Sequence, residues 1–233
     1  MDAVIMAAGL GTRLRPLTLQ KPKPLLDIQG RPILDWLLGA LPGSVNRILV
    51  VVHYLADQIE NYLQRQQWIQ HWAVVFQDQP RGTGDALRSC RARIESDRFL
   101  VLNGDDLFGA DDLRRLAETS AGVLVHEVQE PRQFGIVMLR SDGSLDRLIE
   151  KPNLPGPRLA NCGAYVFPRS VFDTTLERSA RGEYEITDYL TGLARAQPVE
   201  VVSAKFWIAV SNPAVLDQVQ VMDLSPMLQG AKA

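Results

Sequence analysis

Apolar residues in the first half of the chain fall into two alternating kinds of run. Ala3 to Ala8, Ile48 to Val52, Ala73 to Gln77 and Phe99 to Leu102 are short and nearly unbroken, as strands buried on both faces read. Between them the apolar positions are spaced three and four apart. Leu34, Leu37, Leu38 and Leu41 do this within Ile33 to Leu41, and Ile59, Tyr62 and Leu63 within Leu55 to Leu63. That spacing puts them on one face of a helix, and Ala86 to Ile94 and Leu113 to Thr119 follow the same rule. Parallel neighbours in a sheet need a crossover connection, usually helical. Strand and helix in alternation therefore predict an α/β fold, a Rossmann-like, mostly parallel central sheet flanked by helices.

The second half changes rhythm. Val123 to Val128, Gly135 to Leu139, Leu145 to Ile149 and Ala164 to Phe167 read as strands, with a hairpin predicted at Asp142-Gly143. They predict an antiparallel extension over the sheet edge, followed by a helix over Ile186 to Ala196 and strands near Val201 and Phe206. No linker, internal repeat or low-complexity tract divides the chain. Residues 1–222 are expected to form one domain and 223–233 a loose tail.

Composition narrows the function. A chain of 233 residues with 46% hydrophobic content can bury one large core. With 25 Lys plus Arg against 27 Asp plus Glu and a net charge of -2, it lacks the basic face that bulk nucleic-acid binding requires. Cys90 and Cys162 supply neither a disulfide framework nor a metal-spaced cluster, which fits a reducing compartment. No signal peptide and no uncharged run of about eighteen residues is seen, so the expectation is a cytoplasmic protein with no membrane partner. Trp68, His71 and Trp72 form an aromatic group suited to partial core or to a subunit contact, which would make a homo-oligomer.

The chemistry gathers where strands end. After the first strand the chain reads Gly9-Leu10-Gly11-Thr12-Arg13-Leu14-Arg15-Pro16-Leu17-Thr18, then Lys21-Pro22-Lys23-Pro24. Glycines let backbone N–H groups approach an anion, and Arg13, Lys21 and Lys23 add mobile positive charge. This is not the Walker loop, which needs Gly-Lys-Ser/Thr after four intervening residues, nor the dinucleotide fingerprint, which needs a small residue where Leu14 stands. In open α/β sheets ligands bind outside the carboxyl ends of strands. The glycine loop, Gln77 and Asp105 all fall there. Asn103-Gly104-Asp105-Asp106 is also a good turn sequence. If the strand persisted, Asp105 and Asp106 would point to opposite faces and could not share one ion.

Gly9-x-Gly11-Thr12-Arg13-x-x-Pro16-x-Thr18 with Lys23-Pro24-Leu25-Leu26 resembles the signature of the sugar-1-phosphate nucleotidyltransferases, such as the single-domain glucose-1-phosphate thymidylyltransferase and uridylyltransferase type. Matches continue in family order at Gln77 with Gly82-Thr83-Gly84, Asn103-Gly104-Asp105, Glu150-Lys151-Pro152, Asn161-Cys162-Gly163 and Glu183-Tyr184-Glu185-Ile186-Thr187-Asp188. The resemblance implies that a sugar 1-phosphate attacks the α-phosphorus of a nucleoside triphosphate, with UTP or dTTP favoured, giving a nucleotide sugar and pyrophosphate. It gives Arg13, Lys23 and Asp105 the catalytic positions, with Asp105 on Mg²⁺. Ala8, Gly9, Gly11, Thr12, Gln77, Gly82 and Thr83 would bind the nucleotide, and Glu150, Lys151, Asn161, Gly163 and Glu185 the sugar phosphate. Gln77 would read the base, its amide matching an imide edge with both donor and acceptor. Gly163 would let backbone approach the sugar.

One position departs from the pattern. Where relatives carry an aspartate in Trp-x-Asp-x-x-x-Pro as a second metal ligand, this chain has Ala209 in Trp207-Ile208-Ala209-Val210-Ser211-Asn212-Pro213, leaving Asp105 with phosphates and water, or with Asn212, Ser211 or Asp188 as a substitute. Alternatives of the same class are guanylyl transfer to mannose 1-phosphate, uridylyl transfer to an amino-sugar 1-phosphate and cytidylyl transfer to phosphocholine. A different class is a catalytically weak nucleotide-sugar sensor.

Overall fold

The computed structural model describes residues 1–66, 71–179 and 181–228. The chain opens with β1 (Asp2–Met6). After the glycine loop a short hairpin, β2 (Asp27–Ile28) and β3 (Arg31–Pro32), leads into α1 (Ile33–Gly39). Strand and helix then alternate through β4 (Arg47–Val52), α2 (Ala56–Gln64), β5 (Trp72–Phe76), α3 (Thr83–Ser89) and β6 (Arg98–Asn103). A short β7 (Asp106–Phe108) precedes α4 (Ala110–Glu118). The second half contains β8 (Gly122–Val128), β9 (Gly135–Leu139), β10 (Leu145–Glu150), β11 (Arg158–Pro168), α5 (Ile186–Ala196), β12 (Glu200–Ser203), β13 (Trp207–Ala209) and α6 (Pro213–Val219).

The central strands run parallel in the order β6-β1-β4-β5. Val4 of β1 stands between Leu49 of β4 and Val101 of β6. β11 closes the other side of β6 in antiparallel register, and β8 runs antiparallel along β11 with β12 parallel outside it. The β9–β10 hairpin turns at Gly143, as the Asp-Gly pair predicts, and joins β11 at Ala160. The result is the expected mostly parallel sheet with an antiparallel extension.

The unbroken apolar runs have a direct cause. Ala3 and Ile5 of β1 pack into one core with Leu34 and Leu37 of α1, Ile59 of α2 and Leu113 of α4. Val4 packs into the other with Leu87 of α3 and Tyr189 and Leu190 of α5. Both faces of the sheet are thus dry, and each buried Leu, Ile or Val contributes about 1.5–3 kcal/mol against exposure.

Three features differ from the sequence expectation. β11 is longer than Ala164 to Phe167, because Asn161-Cys162-Gly163 continues the strand through a register shift between Asn161 and Tyr165. β7 replaces the expected turn at Asp106 and pairs with β13, Asp106 opposite Ala209. Residues 223–228 are not loose: Leu224 and Met227 are buried against the core that α6 closes. Trp68 lies outside the described residues. Among the described residues no helix is long and apolar enough to cross a membrane.

Candidate active site

Three strand ends meet at one cleft. β1 delivers the glycine loop, where Gly11 sits at φ +60° and the buried Thr18 hydroxyl donates to its carbonyl at 2.8 Å. A Cβ at Gly11 would lie 2.8 Å from Thr18 Cγ2. The loop therefore needs glycine for both its backbone angle and its packing. β6 delivers Asn103 and Asp105, with the Gly104 N–H donating to the Met6 carbonyl at 3.0 Å. β5 delivers Gln77, whose N–H bonds to Val52 O and whose carbonyl oxygen is 2.9 Å from His53 Nδ1. His53 thus supports the strand end and does not line the cleft.

The cleft has two lobes. One, about 460 Å³, is lined by Ala8, Gly9, Gln77, Gly82, Thr83 and Glu183 among others. The other, about 380 Å³, is lined by Arg13, Lys23, Glu150, Lys151, Asn161 and Trp207 among others. Gly11, Thr12, Asn103 and Asp105 line both, so they stand at the junction. Expected nucleotide residues collect in the first lobe and most expected sugar-phosphate residues in the second.

Lys23 is not the mobile cation that its sequence context suggests. It is 9% exposed and its Nζ donates to Asp105 Oδ2 at 2.5 Å. Arg13, like Lys151 and Arg181, is an exposed cation of the wall. Asp105 and Asp106 also depart from expectation, since the chain turns at Gly104-Asp105 and both acids line the same lobe. Asp106 is buried, and its carboxyl is pushed up to about 8, chiefly by burial and then by the charge of Asp105, against the pull of Lys23. Asn103 Nδ2 donates to Asp106 Oδ2 at 3.2 Å. The Trp207 N–H is near enough to favour the ionised acid without making a hydrogen bond of ordinary geometry.

In the second lobe Phe134 and Trp207 meet edge-on, ring centroids 5.4 Å apart, and form an apolar wall beside Glu150, Lys151 and Asn161. Lys151 holds φ +44° and reaches to 3.9 Å from Glu150. Two expected residues are not in this lobe. Glu185 pairs with Arg181 at 2.9 Å and accepts from Ser179, lining an adjoining cavity with Thr187 and Asp188. Gly163 lines none of these cavities. A Cβ there would fall 2.0 Å from Asn103 Nδ2, so this glycine makes room for Asn103.

A family model described as nucleotidyl transferase matches residues 2–221. The chain belongs to the nucleotidyl transferase family. It is 35% identical over 218 residues to the bifunctional protein GlmU of Methanocaldococcus jannaschii, covering 91% of this chain and 52% of that protein. It is 31% identical to the mannose-1-phosphate guanylyltransferase catalytic subunit beta of Xenopus tropicalis, covering 91% and 62%. The chain spans about half the length of the GlmU proteins it matches. Among solved structures it superposes on a protein provisionally named glucose-1-phosphate thymidylyltransferase from Bacillus anthracis, solved with sucrose, with a TM-score of 0.83 and 25% identity over 94% of each chain. The UDP-glucose pyrophosphorylase of Acinetobacter baumanii shares the fold at a TM-score of 0.81, 24% identity and coverage of 94% and 91%.

In this nucleotidyl transferase the donors of the cleft fit Mg²⁺ with few protein ligands. Among the described residues no group of three His, Cys, Asp or Glu side chains could hold a metal, and Ala209 carries no ligand. Mg²⁺ takes one or two carboxylates and completes its shell with phosphates and water, so Asp105, at 39% side-chain exposure, suits it with substrate oxygens. Asn212 is occupied otherwise, its side chain accepting from Val215 N at 3.0 Å to cap α6. Sequence reasoning missed Phe134, Arg181 and Trp207 as wall residues. Only Trp207 carried a signal, the Trp of the Trp-x-Asp pattern.

Proposed function

We propose that this chain transfers a nucleotidyl group from a nucleoside triphosphate, UTP or dTTP before others, to a sugar 1-phosphate, in the cytoplasm and with Mg²⁺. The observation that carries this reading is the two-lobed cleft with Lys23, Asp105, Gly11 and Thr12 at or beside its junction. The reacting phosphorus would sit at that junction. A phosphate oxygen of the acceptor forms a bond to the α-phosphorus as the bond to pyrophosphate breaks, and pyrophosphate leaves with the electron pair. The acceptor phosphate, with a second pKa of about 6, is already ionised near neutrality, so no base is needed. Lys23 and Arg13 would stabilise the charge that builds on the triphosphate. Mg²⁺ held by Asp105 would supply further neutralisation. Glu150 and Asn161 suit sugar hydroxyls and Lys151 the acceptor phosphate. Lys151 and Arg181 disfavour the quaternary ammonium of phosphocholine, although Phe134 and Trp207 offer it an aromatic wall.

One observation favours a second reading, the nucleotide-sugar sensor: Ala209 stands opposite Asp106 where a ligand is expected. Pyrophosphate release and product mass, measured with five nucleoside triphosphates, a panel of sugar 1-phosphates and phosphocholine, with and without Mg²⁺, decide between them. Turnover with a sugar 1-phosphate that stops when Mg²⁺ is chelated is the expected result. Nucleotide-sugar binding with no turnover would establish the sensor.

A further inference from the structure

Asp85, in the first turn of α3, is 3% exposed and touches no part of the reacting centre. Its partners give it a definite task. Gln77 Nε2 lies 3.1 Å from the Gly82 carbonyl and 3.2 Å from Asp85 Oδ2. Both oxygens can only accept, because Asp85 is itself held as a carboxylate by Arg88 at 2.5 Å and Arg81 at 3.3 Å. A flipped amide would set its own oxygen against two others, so this contact fixes which end of Gln77 is nitrogen. Gln77 Oε1 is left without a donor among the described residues, on a side chain that lines the nucleotide lobe with Ala8, Gly9 and Thr83. The amide that the sequence offers as donor and acceptor is, in the fold, an acceptor alone. The Gly82 N–H, close by, likewise has no acceptor among the described residues.

We propose that Asp85 is a positioning residue for base selection: by locking Gln77 with Oε1 toward the cleft, it selects a base presenting a ring N–H flanked by a carbonyl. That edge is the imide of uracil and thymine or the lactam of guanine. Cytosine and adenine present a bare ring nitrogen at that place, whose lone pair would face Oε1, and they can pair with Oε1 only by sliding until their exocyclic amino group donates instead. Sites built around such a hydrogen bond discriminate strongly against analogues that lack the partner. This inference rests on the nucleotidyl-transfer reading and narrows it.

The test is the ratio of kcat/KM between nucleotides, or of Kd by calorimetry if turnover is absent. Wild-type protein should prefer UTP, dTTP or GTP over CTP and ATP by about 100-fold, and should lose about as much when the preferred nucleotide carries a methyl group on its ring N–H. Asp85→Asn offers Gln77 a donor as well as an acceptor and frees the amide to turn. The preference over CTP should shrink about tenfold, through KM more than kcat, and Asp85→Glu should restore part of it. In a Gln77→Met background Asp85→Asn should leave the ratio where Gln77→Met put it. A preference for ATP or CTP, equal use of the ring-methylated nucleotide, or an unchanged ratio in an Asp85→Asn protein that melts like wild type would each overturn the proposal while leaving nucleotidyl transfer standing. The methylated nucleotide needs no variant, so a misfolded Asp85→Asn does not spare the idea. Absence of any nucleotide binding would overturn the functional reading itself.

Discussion

Lys23 and Asp105 are 82 residues apart in sequence and 2.5 Å apart in space, and the charge balance of the cleft turns on them. Each is legible alone, as a cation after a glycine loop and as an acid at a strand end. Their pairing is not, since no local pattern records which strand ends become neighbours. The pair also changes what Lys23 offers: burial and the ion pair fix its ammonium in place, so on the proposed reading it would meet the triphosphate without reorganising. Replacing Lys23 with Met should lower kcat by about 10²–10³-fold with a smaller effect on nucleotide KM, measured by pyrophosphate release. A loss confined to KM would show that Lys23 only binds. Gln77 teaches the same lesson, because its side-chain chemistry was readable while its orientation depended on Asp85.

At the scale of elements, the sequence reveals strands by their dry faces and hides them where a strand carries a site. β1, β4 and β6 are apolar on both sides and easily read. β11 is hidden by Asn161-Cys162-Gly163, polar and small because the strand there borders the cleft and must accommodate Asn103. β7 hides for a related reason, being three residues long and paired only with β13. Gly163, at φ +76°, has two reasons to be glycine. Gly163→Ala should cost about 2–4 kcal/mol from the strained backbone and the displaced Asn103, read as a lower denaturant midpoint with unchanged m-value. A cost under about 0.5 kcal/mol would mean that Asn103 moves aside freely.

For the whole molecule, the cleft and the opposite end of the sheet make separate contributions. At the far end Asp2 is buried, and burial alone would raise its carboxyl. Hydrogen bonds from Arg47, at 3.0 Å from each oxygen, and from the N–H groups of Glu95 and Ser96 outweigh burial and hold it below the ordinary range. A depressed carboxyl stabilises the fold above its unfolded pKa, about 3.9, and loses that contribution as pH falls through the folded value. Asp2→Asn should therefore melt below wild type at pH 7, by about 2 kcal/mol or roughly 4–8 °C for a chain this size. The gap should close as pH falls from about 4 toward 2. A gap constant with pH would refute the charge-based account. At the cleft, saturating nucleotide at about 100 times its Kd should stabilise the protein by about 2.7 kcal/mol, seen as a rise in Tm of roughly 5–10 °C. No rise with any nucleoside triphosphate or nucleotide sugar would contradict both functional readings.

The class of fold was legible in the order of apolar and polar residues, because a chain that alternates doubly buried strands with amphipathic helices has few other ways to shield its apolar surface. The family was legible as well, since the glycine loop that carries its signature is built from contiguous residues whose backbone angles and charges are local properties. Contacts made in the fold settle which carboxylates share the cleft, that Lys23 is held and not mobile, that Gly163 makes room for Asn103, and which end of Gln77 is held by Gly82 and Asp85. Those outcomes depend on contacts between segments far apart in the chain, set by the order of strands in the sheet and by the packing that brings their ends together.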